Sequence, residues 1–382
     1  MSKVASITRA GGLIVNPQHA TASTTQYARG YISEGAVVTD DLVLYLDAAD
    51  YASYPGEDSL LDVSGGTGWV DYSSNQQHYR TMGEKGVILL GTSTGWIGRF
   101  EVTTTATGNH TLMFDYWADA QTTMVFNNDG IMDNDYTGTL TAETYKKTHS
   151  VTVNHTATGA MYHYFRNNAS GTKVYIDNVR FFKNGTAWND LSGKGNDGTI
   201  SGATIALNST AGLNFDFDGT DDEIVIPDSS TLDITSEITQ ELWLQADSFS
   251  HGGGGNFATP ISKGQQNYRW YFNTAGTFIS RYAGLTDLNS TTGAMSTGTW
   301  YHVVLTKSSA GFAVYFDGAL NSSDSQSGTM TANNDALVLG NWDEGGARAW
   351  DGKIAMVRIY DKALTAAQVK QNFNAERNRF GV

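Results

Sequence analysis

The stretch TWYHVVLTKSSAGFAVYFDGAL, residues 299–320, shows the pattern that decides the fold. In its first half, apolar and aromatic side chains occupy both alternating sets of positions: Trp300, His302 and Val304, and Tyr301, Val303 and Leu305. Successive side chains of a β-strand point to opposite faces of the sheet, so this stretch predicts a strand that is covered on both faces.

Short runs of the same kind recur along the chain between Gly, Asn, Ser and Thr. In LNFDFDG, residues 213–219, Leu213, Phe215 and Phe217 share one face, while Asp216 and Asp218 point to the other. The composition agrees, with 42 Gly, only 4 Pro, 12% aromatic residues and 16% charged residues. Many short strands separated by turn residues are typical of an all-β sandwich.

One helix is predicted, at the C-terminal end. Thr365 is a suitable N-cap, and the following AAQVKQNFNAERN places Ala366, Val369 and Phe373 on one side. We expect residues 350–364 to form a closing strand and turn before this helix. The helix should then cover an edge or end of the sandwich, with Val369 and Phe373 buried.

Residues 204–376 resemble the laminin-G-like, concanavalin-A-like jelly-roll family. The residues that carry the resemblance are FDFDGTDDEIVIP (215–227), the opening stretch, and WDGKIAMVRIYDKALTAAQV (350–369). The resemblance implies an antiparallel jelly roll of two sheets. Members of this family often carry a calcium site, and they bind a sugar or a protein at the rim of the sandwich. The resemblance implies that this chain has sites of the same kinds.

A second sandwich is predicted as an insertion. In phage-type members of this family, a strand like LVLYLDAADYASYPG (42–56) runs within a few residues into a segment like TAWNDLSGKGNDGTI (186–200). Here residues 57–185 separate the two pieces, and they carry strand patterns of their own. Their closing GTKVYIDNVRFF resembles the last strand of carbohydrate-binding-module sandwiches. We therefore expect an extended arm (1–40), a jelly roll (41–56 plus 186–382) and an inserted sandwich (57–185).

A glycine motif in residues 186–200 has the spacing of a nucleotide-binding loop but not its surroundings. Gly193, Gly195 and Gly198 match G-x-G-x-x-G, but a phosphate site needs a preceding buried strand and a following helix. Neither pattern is present around it. Tight turns with Gly and Asn at positive φ are the better prediction.

Charge and missing motifs exclude several function classes. The net charge of −15 opposes binding to the phosphate backbone of a nucleic acid. The chain has no Cys, which excludes disulfides and thiolate metal sites. No apolar run approaches the ~18 residues of a membrane span. No Glu is followed two positions later by Asp, as the E-x-D-x-x-E strand of jelly-roll glucanases requires, and H-E-x-x-H is missing. We predict no catalytic residues, although a glycan hydrolase or lyase stays open as a third reading.

Sugar binding is expected from exposed aromatic rings, which can stack on pyranose faces. Trp243 and Trp300 belong to strongly alternating strands and are predicted to be core. The candidate sugar platforms are Trp270, Tyr271, Trp342 and Trp350 in the jelly roll, and Trp69, Trp96 and Trp117 in the inserted sandwich.

Structural calcium is the one cofactor expected. Carboxylates gathered at turns suit this hard cation, although Asp in Gly-rich turns also serves simply to bond the backbone. The candidate ligands are Asp218, Asp221 and Asp222, then Asp343 with Glu344, and, where related modules place a calcium ligand, Asp177 with Asp58 as a partner.

The function predicted from these features is a non-enzymatic structural or decoration protein of a bacteriophage, with weak adhesion to glycans or host surfaces. The first twenty residues lack the apolar region of a signal peptide, so we expect synthesis in the host cytoplasm and display on the virion surface. A bacterial cell-surface carbohydrate-binding protein is the alternative.

The arm is expected to bind other capsid or tail proteins of the particle. Copies of the chain are expected to form a closed homo-oligomer, with a trimer favoured over a dimer. The apolar anchors of the arm are Ile7, Leu13, Ile14, Val15, Tyr27, Tyr31 and Ile32.

Overall fold

The computed structural model describes most of the chain from residue 36 onward. Within that span it leaves out 51–52, 54–56, 64–69, 72–78, 82–86, 91–97, 105–106, 128–135, 141, 143–146, 168–171, 209–210, 251–256, 265–266 and 343–347. All seven predicted anchors of the arm lie before residue 36 and therefore outside the described residues. Within the described part, none of the helices has the length and apolar character needed to cross a membrane.

Residue contacts divide the chain into two compact units. Unit 1 comprises Met1–Tyr54 and Ala187–Val382, and unit 2 is the intervening Pro55–Thr186. Unit 2 thus occupies almost the same residues as the predicted inserted sandwich. That it folds independently stays a prediction.

The described residues are mostly β-strand. The first strand of unit 1 is β1 (Leu42–Asp47). The strands of unit 2 are β2 (Glu57–Val63), β3 (Val70–Asp71), β4 (Tyr79–Thr81), β5 (Val87–Leu90), β6 (Gly98–Thr104), β7 (Gly108–Ala118), β8 (Thr122–Asn127), β9 (Tyr136–Leu140), β10 (Lys147–His155), β11 (Gly159–Asn167) and β12 (Lys173–Lys183). Unit 1 resumes with β13 (Ala187–Trp188), β14 (Gly198–Ser201), β15 (Thr204–Asn208), β16 (Gly212–Asp218), β17 (Glu223–Ile226), β18 (Ile238–Ser248), β19 (Phe257–Ala258), β20 (Ile261–Lys263), β21 (Arg269–Asn273), β22 (Phe278–Arg281), β23 (Trp300–Ser308), β24 (Gly311–Phe316), β25 (Ala319–Ser323), β26 (Leu337–Leu339), β27 (Asp351–Tyr360) and the helix α1 (Ala366–Phe380).

The large sheet of unit 1 contains the stretch from which the sequence analysis began. Its strand order is β15-β16-β27-β18-β23-β24-β25, and β1 also pairs with β27. Val303 and Val304 of β23 are both fully buried although they point to opposite faces, so the prediction of a strand covered on both faces is confirmed. The alternation in β16 is confirmed too, because Phe215 and Phe217 are buried while Asp218 is exposed.

Two smaller antiparallel sheets complete unit 1. One has the order β13-β14-β17-β26-β20, and the other has the order β19-β21-β22. In the first of them, Ile224 and Ile226 are buried at alternating positions of β17. The strand pairings of unit 1 are antiparallel, so the all-β class with a single C-terminal helix is confirmed for the described residues.

Helix α1 begins where the sequence predicted. The hydroxyl of Thr365 accepts a hydrogen bond from the backbone N–H of Gln368, whose side chain bonds back to the N-cap. Val369 and Phe373 are buried, as expected. Phe373 and Phe380 stack on Trp243 of the central strand β18, with ring centroids 5.9 and 3.9 Å away. The helix therefore covers one face of the large sheet, and the prediction that it covers an edge or end was wrong, because its aromatic side chains pack on the middle of the sheet.

A tight turn beneath this helix depends on glycine. Asp317 and Gly318 connect β24 to β25 with φ values of 51° and 70°, the left-handed pair of a two-residue hairpin turn. A Cβ on Gly318 would lie 2.9 Å from the Cβ of Phe373. The turn therefore needs glycine both for its backbone conformation and for the approach of α1.

The glycine motif of residues 193–198 also forms a turn. Gly193 and Gly195 have φ values of 78° and 75°, as predicted, and Gly198 begins strand β14. Between them, the buried Asn196 donates its amide to the carbonyl of Val43, which ties the turn to β1. The motif is part of a sheet connection, with no strand-to-helix geometry around it.

Unit 2 contains two antiparallel sheets. One has the order β10-β7-β12-β5-β4, with β2 also paired to β12, and the other has the order β3-β6-β11-β8-β9. Its described core is aromatic in part: Phe114 and Phe181 are fully buried, and Phe181 stacks on His110 at 5.2 Å. His155 lies against the same two rings, 4.5 Å from that of His110.

Acid is expected to destabilise unit 2 through His155. Burial, helped by the neighbouring His110, lowers the pKa of His155 from 6.5 to about 4. The unfolded chain therefore binds the proton more readily, and stability is lost as the pH falls from about 6.5 towards 4, by roughly 2 kcal/mol at pH 4.5. Hydrogen exchange of the full chain at pH 7 and pH 4.5 measures this effect on the amides of β7, β10 and β12. Burial also lowers the pKa of His110 and of His149 in the same sheet, so a H155F variant should lose part of the pH dependence, and an unchanged dependence would contradict the assignment.

The ends of unit 1 on either side of unit 2 are joined directly by hydrogen bonds. The backbone N–H of Asn189 donates to the carbonyl of Ser53 (2.6 Å), and the hydroxyl of Ser53 donates to the carbonyl of Asn189 (2.7 Å). Leu191 N–H also donates to the carbonyl of Tyr45 at 2.8 Å. Unit 1 thus holds both sides of the junction through its own contacts.

Deleting residues 57–185 and joining the ends by a short turn should leave unit 1 folded. The deletion removes unit 2 but none of the bonds between Ser53 and Asn189, and chain ends that lie close together tolerate such surgery. Circular dichroism and a cooperative thermal transition of the truncated protein provide the test. A molten or insoluble product would show that unit 2 is required for unit 1 to fold.

Candidate functional site

The small sheet β19-β21-β22 carries the most unusual group of side chains in unit 1. Alternation along β21 sends Arg269 and Tyr271 to one face and Trp270 and Phe272 to the other. The second face belongs to the core, where Trp270 is fully buried and its indole N–H donates to Gln240 Oε1 at 2.9 Å.

Three of the predicted sugar platforms in unit 1 require correction. Trp270 and Trp350 are both 0% exposed, and Trp350 packs against Phe272 in the core, so neither offers a ring face to a ligand. Tyr271 is 3% exposed, with its ring covered by arginine side chains. Only Trp342 is partly exposed. The pattern of the sequence located an aromatic strand, but β21 is enclosed on both faces.

The first face of this sheet forms what we call the arginine–aromatic cluster: Phe257, Arg269, Tyr271, Arg281, Trp342 and Arg348. The guanidinium carbons of Arg269, Arg348 and Arg281 lie 4.5, 5.3 and 5.6 Å from the ring centre of Tyr271. Those of Arg348 and Arg269 lie 4.5 and 4.9 Å from the ring centre of Trp342. Arg348 also donates to the hydroxyl of Tyr271 at 3.2 Å.

Arg281 and Arg348 differ in the pairing of their positive charges. Arg281 forms an ion pair with Asp287 at 2.7 Å, and this hydrogen bond raises the pKa of Arg281. Arg348 forms no ion pair with any carboxylate of the described residues. Arg269 and Arg281 are cross-strand partners in the register, an arrangement of like charges that destabilises a sheet. The cluster thus concentrates cations on one face of an otherwise acidic chain.

In unit 2, one predicted sugar platform can be placed. Trp117 is half-buried in β7, and its ring meets that of Tyr175 edge-on at 4.5 Å. Trp69 and Trp96 lie outside the described residues. Trp117 thus keeps part of its surface for a ligand.

Three of the predicted calcium ligands come together at the end of β16. The carboxylates of Asp218, Asp221 and Asp222 each offer an oxygen within 4.8 Å of the others, and the first two side chains are exposed. Burial, together with the negative charges of Asp218 and Asp221, raises the pKa of Asp222. A cation among these oxygens would relieve that repulsion, so the residues fit a calcium ion chemically.

The turn itself also uses these carboxylates. Asp222 Oδ2 accepts from the backbone N–H of Asp218 at 2.8 Å, and Asp218 Oδ1 accepts from that of Thr220 at 2.8 Å. The backbone-bonding role considered from the sequence is therefore present, with one oxygen of each carboxylate left over. Asp343 lies outside the described residues, as do the side chains of Asp58 and Asp177 in β2 and β12.

A second acidic site in unit 1 already holds a cation of the chain. The buried ammonium of Lys263 lies 2.8 Å from Asp228, 3.3 Å from Asp233 and 2.7 Å from the carbonyl of Asn333. The ammonium thus offsets one of the two negative charges at this site. The carboxylates of Asp218, Asp221 and Asp222 have no such ammonium among their described hydrogen-bonding partners.

The buried acid of the large sheet is engaged structurally. Glu241 is 1% exposed beneath α1, where it contacts Arg358 (3.0 Å), His302 (2.8 Å) and Asn372 (2.8 Å). Burial alone would raise the pKa of Glu241, but the Arg358 guanidinium and the other two partners hold it at about 2. A carboxylate so strongly held as an anion, and so covered, cannot serve as a proton donor to a glycan.

The arginines of the cluster were not among the predicted site residues, although the sequence around them carries a signal. In YRWYF, Arg269 stands next to Tyr268 and two residues before Tyr271, and in FISRY, Arg281 stands next to Tyr282, in a chain with only 24 Lys and Arg residues. Alternation placed Arg269 and Tyr271 on one face. The missing information was the pairing of β21 with β22 and the position of Trp342 over that face.

Comparison with known families supports a lectin-like fold for part of unit 1. Residues 218–370 match the model of the concanavalin A-like lectin/glucanases superfamily. The predicted jelly-roll class is thereby confirmed. No curated protein matches the chain significantly.

Solved structures give weaker likenesses. The binding domain of Paraclostridial Mosquitocidal Protein 1 aligns at 17% identity and a TM-score of 0.42, over 50% of this chain and 50% of that one. Domain 4 of AbnA, a GH43 extracellular arabinanase from Geobacillus stearothermophilus in complex with arabinotriose, aligns at 22% identity and 0.39, over 49% and 92%. A Trypanosoma rangeli sialidase aligns at 17% and 0.40, over 51% and 32%. The chain therefore spans half the length of the first of these and a third of the last.

Proposed function

We propose that this chain is a non-enzymatic, glycan-binding adhesion protein displayed on the surface of a bacteriophage particle. The observation that carries the proposal is the match of residues 218–370 to the lectin/glucanase superfamily, in a sandwich whose described residues lack a glucanase acid pair. Fold alone does not decide function, so the chemistry of the site separates the binding members from the hydrolytic ones.

The absence of the acid pair supports binding without hydrolysis. Two carboxylates must flank a glycosidic bond, as acid and as nucleophile or base. In β18, the residue two positions after Glu241 is Trp243, whose indole N–H donates to Glu376 Oε2 at 2.9 Å under α1. The face of the large sheet that carries Glu241 is thus occupied by the helix, which leaves no groove there for a polysaccharide.

The geometry of residues 36–39 supports attachment through the arm. Val38 N–H donates to Asn372 Oδ1 at 2.7 Å, and Gln371 donates its amide to the carbonyl of Ala36 at 2.6 Å. Helix α1 therefore fixes the point at which the chain enters unit 1. We propose that residues 1–35, with their seven apolar anchors, bind a capsid or tail protein of the same particle and that several copies form a closed oligomer.

Calcium is the cofactor that we propose for the turn of Asp218, Asp221 and Asp222. A free calcium concentration ten times the dissociation constant of this site should raise the free energy of unfolding of unit 1 by about 1.4 kcal/mol. Thermal unfolding in CaCl₂, in MgCl₂ and with a chelator measures the effect. The D221N variant should lose the response, whereas D361N, at an exposed position away from the turn, should keep it. Equal transitions in calcium and chelator would contradict calcium binding.

Glycan binding is tested with the full chain. Retention on a panel of neutral and anionic polysaccharides should be measured beside release of reducing sugar from the same panel. We expect retention on at least one polysaccharide without release of reducing ends. Sugar release would instead identify a hydrolase, and a failure to bind any glycan would overturn the adhesion function.

Particle attachment is tested by removing residues 2–35. The truncated protein should keep the thermal transitions of the full chain but should no longer sediment with virus particles from infected cells. Normal sedimentation of the truncated protein would exclude the arm as the attachment point. Recovery of the full chain in the bacterial cell envelope, and not with particles, would favour the cell-surface alternative.

A further inference from the structure

The arginine–aromatic cluster gathers three arginines on one face of the sheet β19-β21-β22. Opposite it, the other face of the same sheet is filled by Trp270, Phe272 and Phe278, which pack edge-on or tilted against one another as an ordinary core. The cluster face instead brings three guanidinium groups around one phenol ring. Arg269 and Arg281 stand opposite each other on neighbouring strands, where two like charges weaken a sheet unless a counter-charge such as Asp287 offsets them.

The two arginines at the border of the cluster, Arg281 and Arg348, differ in their free donors. The side chain of Arg281 is 42% exposed, but its Nε and Nη2 already donate to the two carboxylate oxygens of Asp287, at 3.2 and 2.7 Å. Arg348 is half-buried and has no ion-pair partner among the described residues. Arg348 uses one guanidinium nitrogen, Nη1, to bond the hydroxyl of Tyr271. Its guanidinium carbon lies 5.3 and 4.5 Å from the ring centres of Tyr271 and Trp342, and these contacts restrict the movement of the guanidinium, whose other N–H groups keep their capacity to donate.

A planar, oriented guanidinium with spare donors matches a carboxylate. Arginine binds this group through two parallel hydrogen bonds, which are stronger than bonds between neutral partners. The half-buried rings of Phe257 and Trp342 border the same face and can contact the apolar side of a sugar ring. Together these groups would recognise a sugar that carries a negative charge, in contrast to the bare aromatic platform expected from the sequence.

We propose that the arginine–aromatic cluster binds an anionic glycan, with Arg348 holding the carboxylate of a sugar acid. This inference rests on the proposed glycan-binding function and specifies its ligand class and its location. A sulfate ester shares the anionic chemistry, so the experiment compares both sources of charge.

The test uses the full chain and matched pairs of polymers. Polygalacturonate carries one carboxylate per sugar, and its fully methyl-esterified form has the same backbone without the charge. Dextran sulfate and dextran form the corresponding sulfated pair. We expect binding to polygalacturonate that weakens with added salt, and little binding to its ester or to dextran.

Variants then locate the site. R348Q should weaken polygalacturonate binding by about tenfold to a hundredfold, as expected for lost hydrogen bonds to a charged group. R348K keeps the charge but not the planar fork, so it should fall in between. K194Q, which removes one positive charge from an exposed turn, is the matched control and should bind like the unmodified chain. Thermal unfolding of each variant shows that the fold is intact.

The possible results bear separately on the site, on the carboxylate ligand and on the adhesion function. Equal binding by R348Q and the unmodified chain would overturn the proposal, and would leave the cluster as an internal brace of the sheet. Preference for dextran sulfate over polygalacturonate would overturn the carboxylate assignment. Strong binding to neutral polymers alone would refute the anionic site while preserving the adhesion function. Failure to bind every polymer would refute both.

Discussion

Replacing Arg358 by methionine is expected to lower the free energy of unfolding of unit 1 by about 3–5 kcal/mol, the usual result of removing one partner from a buried ion pair. Arg358 is 0% exposed and lies between two carboxylates, 3.0 Å from Glu241 Oε1 and in direct contact with Glu376. Its guanidinium also lies over the ring of Tyr45 at 4.5 Å. Without it, the buried Glu241 and the mostly covered Glu376 would both lose the guanidinium that balances their negative charges.

The large effect follows from the location of this group between sheet and helix. Glu241 and Arg358 are cross-strand partners on β18 and β27, while Glu376 belongs to α1. Asn372 of the same helix donates to Glu241 Oε2 at 2.8 Å, and Tyr360 donates to the carbonyl of Val38 at 3.0 Å. The buried charges therefore hold the helix and the entering chain on the sheet.

Chemical denaturation of R358M and of the unmodified chain measures the difference. The exposed pair of Lys362 and Asp41 (3.1 Å) provides the control, because K362M should leave the unfolding free energy unchanged within error. The double variant R358M/E241Q should recover part of the loss, since it also removes one stranded charge. An R358M protein as stable as the unmodified chain would show that water enters this space.

The second large effect is expected at Phe373. Changing it to alanine should cost about 3 kcal/mol or more, the range for a buried Phe that leaves a cavity. Phe373 is 5% exposed, stacks on Trp243, lies 5.8 Å from the ring of His302 and covers the turn at Gly318. Because Phe373 lies between strand β18 and the tight turn at Gly318, the surrounding backbone has little freedom to move into the cavity.

Thermal and chemical unfolding of F373A test this expectation. The matched control is L320A, since Leu320 is 58% exposed and its truncation should change stability by no more than about 0.5 kcal/mol. A near-neutral F373A would mean that α1 is only loosely attached to the sheet. A combined F373A/R358M variant should deviate from additivity, because both residues act through the same helix.

Local patterns in the sequence predicted the elements well where each depended on its own neighbours. Strand β16 buries Phe215 and Phe217 and exposes Asp218, as the period of two required. Helix α1 starts after Thr365 because an N-cap and its N3 partner lie three residues apart. The carboxylates of Asp218, Asp221 and Asp222 come together because they belong to one turn.

The same reasoning failed where exposure depended on what packs against a strand. Alternation shows that Trp270 and Tyr271 point to opposite faces, but not whether either face meets solvent. Both are buried in the structure, one by the core and the other by arginines, whereas Trp342 outside the strands stays partly exposed. Composition therefore indicated aromatic sugar platforms but could not select among the aromatic residues.

The sequence by itself determined the all-β class, the single helix with its cap, and the buried face of individual strands, because these follow from contacts within a few residues. Only the tertiary structure decided which distant charges meet. Glu241 and Arg358 are 117 positions apart and become neighbours through the register of β18 and β27. Arg348 joins Tyr271, 77 positions away, by folding over a sheet whose pairing the local pattern does not encode. Strand register is set by the packing of the whole sandwich, so sites built across strands appear only when the chain is folded.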